Sequence, residues 1–138
     1  MHDAAPARRR LTPLVWIPQL LVVLVFAGGG AYKLVTPYAD VVEQFGDIPQ
    51  GLVVTASVLE VIGGIGVLLP TLTRILPGLT VWAALGCALL QAGAVVFHVT
   101  AGDTDGLALN AALIVLSLSV AWLRWRVAPV APVRPRRA

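Results

Sequence analysis

Long apolar runs separated by short polar stretches dominate the chain. Four runs come close to the roughly 20 residues needed to cross roughly 30 Å of hydrocarbon as a helix, at about 14–35, 51–69, 75–99 and 107–123. Breakers fall between them. Pro37 and Pro49 flank a first loop carrying Asp40, Glu43 and Asp47, Pro70 ends the second run, and Gly102 to Gly106 forms the third connection. Pro18 and Pro77 are expected in first helical turns, where a missing N–H costs little. The pattern predicts an all-α fold, an integral membrane four-helix bundle over 14–124. It is flanked by a basic tail (1–13) and a Pro/Arg-rich tail (125–138), both expected to be disordered.

Composition sharpens this picture. Only 12% of the 138 residues are charged and 58% are hydrophobic, against about 25% charged in an average soluble domain. The excess of basic residues is no sign of nucleic-acid binding, because they gather beside the ends of the apolar runs. Arg8, Arg9, Arg10, Arg74, Arg124, Arg126, Arg134, Arg136 and Arg137 are nine of the ten basic residues, and a four-span topology puts all nine on one side. The opposite loops hold Asp40, Glu43, Asp47, Asp103 and Asp105 and no Lys or Arg. By the positive-inside rule, both termini are expected in the cytoplasm. Reading the first run as a cleaved export signal fits poorly, since it is longer than a signal's apolar core and three further spans follow. The lone Cys87 excludes a disulfide or a Cys-based metal cluster within one chain.

Polar residues inside the spans carry the candidate chemistry. A charge at mid-membrane costs about 2.5–3.5 kcal/mol on insertion scales, so each one needs a partner or a purpose. Glu60 lies roughly 13 Å below the start of its helix, too deep to reach water along the lipid face. Lys33 is near the end of the first span, where its stem either snorkels to the headgroups or bends inward toward Glu60. Cys87, Gln91 and His98 share one face of the third helix, as Ser57, Glu60 and Gly64 do of the second and Asn110 and Ser117 of the fourth. If these stripes face one another, Lys33, Glu60, Gln91, His98 and Asn110 line a polar intramembrane pocket. The bland alternative is that such residues only bond across helices to fix packing.

Glycines 28–30, 63, 64 and 66 lie inside apolar spans and read as sites of close helix approach rather than phosphate loops. Trp16, Trp122 and Trp125 read as interfacial anchors. No metal site is expected, because His98 has no second ligand at a usable spacing.

This arrangement resembles the DoxX/DoxX-like family of small four-helix bacterial membrane proteins. The resemblance rests on Phe26-Ala27-Gly28-Gly29-Gly30-Ala31-Tyr32-Lys33-Leu34, on Leu59-Glu60-Val61-Ile62-Gly63-Gly64-Ile65-Gly66-Val67-Leu68-Leu69-Pro70, on Thr73-Arg74, on Ala94-Val95-Val96-Phe97-His98 and on Asn110. It covers about Val15 to Leu123. Where the family often has a methionine-like apolar residue in the third helix, this chain has Gln91, which makes its pocket more polar. The resemblance implies a protein of the bacterial cytoplasmic membrane; some relatives are small subunits of membrane oxidoreductases, including thiosulfate:quinone oxidoreductase.

Three functions follow as expectations. The first is an accessory subunit that holds a quinone or other lipophilic small molecule and serves an oxidoreductase partner, with Lys33 and His98 on the polar head and Glu60 relaying a proton. The second is a stand-alone intramembrane isomerase or hydrolase with Glu60 and His98 as a catalytic acid–base pair. The third is a small transporter or channel, for which the chain lacks an internal repeat or broken helix.

Overall fold

The computed structural model describes the backbone of residues 5–133 and the side chains of residues 13–133. The described residues are helical or irregular, with no strand. The helices are α1 (Ala5–Val23), α2 (Gly29–Val35), α3 (Tyr38–Phe45), α4 (Gln50–Thr73), α5 (Leu79–Ala101) and α6 (Leu107–Trp122). A π-helical turn, Leu24–Gly28, joins α1 to α2, and a second, Leu123–Val127, extends α6. Four continuous apolar helices result: Pro13–Val35, Gln50–Thr73, Leu79–Ala101 and Leu107–Val127. Even the shortest, 21 residues, reaches about 30 Å.

Several boundaries differ from the sequence reading for local reasons. The backbone is already helical at Ala5, inside the stretch read as a tail, while residues 1–4 and 134–138 of the two expected tails lie outside the described residues. Pro70 does not end the second span; it sits within α4, which continues to Thr73 and stops where Arg74 turns left-handed at φ 57°. Pro70 donates no backbone hydrogen bond to the preceding turn, and it and Thr71 both pack inside the bundle. Pro18 lies well inside α1, and Pro77 precedes α5, which begins at Leu79.

The segment read as the first loop contains a helix. Thr36 is extended, at ψ 137°, as the residue before a proline must be. Pro37 then opens α3, and Gly46, at φ 92°, closes it with its N–H on the Val42 carbonyl at 2.9 Å. Val41 is buried and Phe45 follows one turn later, an apolar pair that a charge-based reading of Asp40, Glu43 and Asp47 passes over.

Each span packs on the next, and the last closes on the first, mostly through α1 rather than α2. The bundle is apolar outside as well as in its core, where Val22, Phe26, Val67 and Leu113 pack together. Leu24, Leu89 and Val115 are among the side chains facing outward, at 68%, 75% and 65% exposure, while Gln19, Ser57, Thr80 and Ser117 are completely or almost completely buried. An exterior of Leu and Val around an interior that mixes apolar, small and polar residues is what a bilayer, not water, selects.

The glycines act where backbones meet. A Cβ on Gly30 would lie 2.6 Å from the Ser57 carbonyl oxygen, and one on Gly64 would lie 2.6 Å from the Ala27 nitrogen. The first span and α4 therefore touch at backbone distance within the first π turn, at Ala27, and just after it, at Gly30. Gly63 and Gly66 instead make room for the side chains of Cys87 and Ala83 on α5.

Candidate functional site

The close approach of Gly30 to α4 fixes the centre of the site. One turn after Gly30, Lys33 reaches Glu60: Nζ donates to Oε1 at 2.8 Å and lies 2.7 Å from Oε2. The two side chains are 19% and 11% exposed. Lys33 thus turns inward rather than snorkelling to the headgroups. Its ammonium also lies 5.6 Å from the centre of the Phe45 ring, so α3 screens the pair from the loop side. Tyr32 hydrogen-bonds Gln44 at 2.9 Å and the Tyr38 hydroxyl donates to the Ile48 carbonyl at 2.7 Å, fastening α3 over the end of the bundle.

Behind the ion pair lies a cavity of about 380 Å³. Phe26, Val41, Phe45, Leu90, Phe97 and Leu113 supply much of its apolar wall, and Lys33, Glu60, Gln91, His98 and Asn110 all border it. All five residues singled out in the sequence therefore meet at one space. Gln91 and Asn110 are 6% and 8% exposed. The Asn110 amide nitrogen is buried with no hydrogen-bond partner among the described residues, an arrangement that native interiors seldom tolerate without a ligand or water.

His98 has a partner that sequence reading missed. Gly102, at φ 73°, ends α5 with its own N–H on Val99 and the next N–H, that of Asp103, on the His98 carbonyl at 3.0 Å. This turn brings Asp103 back over the ring, where Oδ2 meets His98 Nδ1 at 2.9 Å. The ring also packs on Gly106, where a Cβ would come within 2.9 Å of Nε2. The spacing of His98 and Asp103 around Gly102 was the available signal. Both candidate acid–base groups are thus already engaged, Glu60 with Lys33 and His98 with Asp103.

The Asp103 carboxyl is held below the ordinary carboxylate range, first by the Asp105 N–H on Oδ1 at 3.0 Å and then by its bond to His98. Because the folded-state value is depressed, the stabilisation is complete above the unfolded value of about 3.9 and fades as pH falls through the lower, folded one. Wild-type protein is therefore expected to lose protection of the 102–106 loop amides on acidification below about pH 4. Hydrogen exchange compared with Asp103→Asn checks this: the variant's loop should already be less protected at neutral pH and change little with acid.

A second polar cluster went unrecognised in the sequence. Gln19 is fully buried, donating to the Val67 carbonyl at 2.8 Å and to Thr71 at 3.0 Å while accepting from Arg124 Nε at 2.6 Å. Thr71 in turn pairs with Thr80 at 2.8 Å. Trp16, read as an interfacial anchor, lies against the Arg124 guanidinium at 4.9 Å. The signal was a glutamine in mid-run, of the same kind that drew attention to Gln91.

Fold and cavity together define a polytopic helical membrane protein with a polar-edged internal cavity. The family model described as the DoxX-like family matches residues 17–120, and the chain belongs to that family. No curated protein and no solved structure matches it.

Proposed function

We propose that the cavity receives the polar head of a lipophilic small molecule, a quinone being the type that membership of this family suggests, and that the protein serves an oxidoreductase as an accessory subunit. The unpartnered Asn110 amide at the cavity wall carries this reading. The volume of about 380 Å³ falls in the usual range for small-ligand sites. Apolar walls with a few polar groups suit a ring with carbonyl oxygens, for which Lys33, Gln91 and Asn110 supply donors. A bound quinone would supply two-electron, two-proton redox chemistry.

The chain's own residues have distinct tasks in this proposal. The Lys33 ammonium keeps Glu60 turned into the bundle, and Glu60 holds a carboxylate where a proton is to be taken up or passed on. Asp103 fixes the His98 ring through Nδ1, leaving Nε2 as the nitrogen that a ligand or proton would use. The apolar side chains of α3 exclude water from above. By the positive-inside rule we further propose that both termini lie in the cytoplasm, with the bundle in a bacterial inner membrane.

Mild-detergent purification followed by solvent extraction and mass spectrometry tests it. Wild-type protein is expected to retain a quinone or comparable lipophilic compound, and Asn110→Leu, which removes the donor and fills space, to retain roughly tenfold less. Equal retention by both proteins, or none by the wild type, contradicts the reading. Turnover of an added apolar substrate that disappears in Glu60→Gln supports the intramembrane-enzyme reading instead.

A further inference from the structure

A second cavity, of about 320 Å³, lies at the other end of the bundle among Trp16, Thr71, Arg74, Arg124 and the segment from Val127 to Ala131. Arg124 is only 5% exposed, yet its Nη2 is buried without a hydrogen-bond partner among the described residues. Its other nitrogens are directed elsewhere: Nε donates to Gln19 and Nη1 to the Ala128 carbonyl at 3.5 Å. A guanidinium does not neutralise itself by losing a proton, so burying one demands an anion or a full set of acceptors. Gln19 contributes one neutral oxygen and Trp16 a ring face. Among the described residues no carboxylate comes within ion-pair distance of Arg124 or Arg74.

We infer that this pocket binds a phosphate-bearing anion, held by the unused Nη2 of Arg124 and the Arg74 guanidinium, and supplied either by an anionic lipid headgroup or by free phosphate. Two arginines bordering one cavity match the several acceptor oxygens of a phosphate, and Arg is the side chain best shaped to bond them in parallel. The chain after α6 forms the remaining wall. It is tied down by Arg124 on Ala128 and by the Val133 N–H on the Arg74 carbonyl at 3.3 Å, so the pocket has a defined rim at the end of the spans. Basic pockets between helices at a membrane face are a recognised setting for lipid phosphates. This site is independent of the cavity beside Lys33 and Glu60.

Thermal unfolding of the full-length protein in neutral detergent is the test, with phosphatidylglycerol, phosphatidylcholine of the same acyl chains, or inorganic phosphate added at constant ionic strength. The wild type is expected to gain stability saturably with phosphatidylglycerol or phosphate and not with phosphatidylcholine. Arg74→Gln, on an exposed side chain, is expected to raise the half-saturating concentration about tenfold, and Arg124→Lys, which keeps the cation but not the fork, by a similar factor. Saturation by the lipid alone assigns a headgroup; saturation by inorganic phosphate at comparable concentration assigns the free anion. No response, an equal response to phosphatidylcholine, or an unchanged half-saturation in Arg74→Gln overturns the site. Should Arg124→Lys fail to fold, Arg74→Gln decides alone.

Discussion

Replacing Lys33 by methionine is expected to destabilise the bundle by about 3 kcal/mol, because it strands the Glu60 carboxylate among apolar side chains. Among the described residues Lys33 is the one cation beside Glu60, approaching its two oxygens at 2.8 and 2.7 Å. Glu60→Met is expected to cost a similar amount by stranding Lys33, less whatever the lysine regains by reaching outward. Removing both groups together is expected to restore most of the stability, as apolar side chains of similar volume commonly replace a buried pair with little loss. Denaturation of the four proteins in one detergent measures the coupling as a double-mutant cycle. Additive single effects would show that the two side chains do not interact.

The second large effect is expected at Gly30. A methyl group there meets the Ser57 carbonyl at 2.6 Å and the Glu60 Cβ at 2.9 Å, and the first of these is backbone that cannot rotate away. Gly30→Ala is expected to cost about 2–3 kcal/mol through overpacking. It also pushes α2 off α4, so in the Gly30→Ala background Lys33→Met should bring little further loss. Gly29→Ala is the control. A Cβ there meets nothing within 4 Å, and the exchange is expected to be neutral or to stabilise the helix by up to about 1 kcal/mol. If both alanine variants behave alike, the close approach of α2 to α4 does not set the geometry of the ion pair.

The four spans were legible because a bilayer imposes a length and composition that few other folds need. The inward faces were legible for a related reason. A buried polar group in lipid must have a partner, so Glu60, Gln91 and Asn110 announce themselves against an apolar background. Helical spacing then places Cys87, Gln91 and His98 on one side, and all three are turned inward. What sequence could not settle was the direction of a flexible stem. Lys33 had two outlets, and only the backbone contact at Gly30 selects the inner one.

The misses have physical reasons as well. A short helix such as α3, capped by Pro37 and Gly46, carries too few apolar residues to stand out beside spans three times its length. Asp103 looked like a loop charge because its approach to His98 depends on the left-handed turn at Gly102. Arg124 reads as a topology charge beside the end of a span, and nothing local marks it as buried, since its partner Gln19 is 105 positions away in the chain.

A lipophilic ligand is proposed to occupy the space between the Lys33–Glu60 pair and the stripes of α5 and α6. Photolabelling in lipid nanodiscs with a diazirine-bearing benzoquinone, followed by peptide mapping, addresses it most directly. Label on cavity residues such as Leu90, Phe97 and Leu113, competed away by unlabelled quinone and reduced in Asn110→Leu, is the expected result. Label confined to outward side chains such as Leu89 and Val115, and indifferent to competitor, would contradict it.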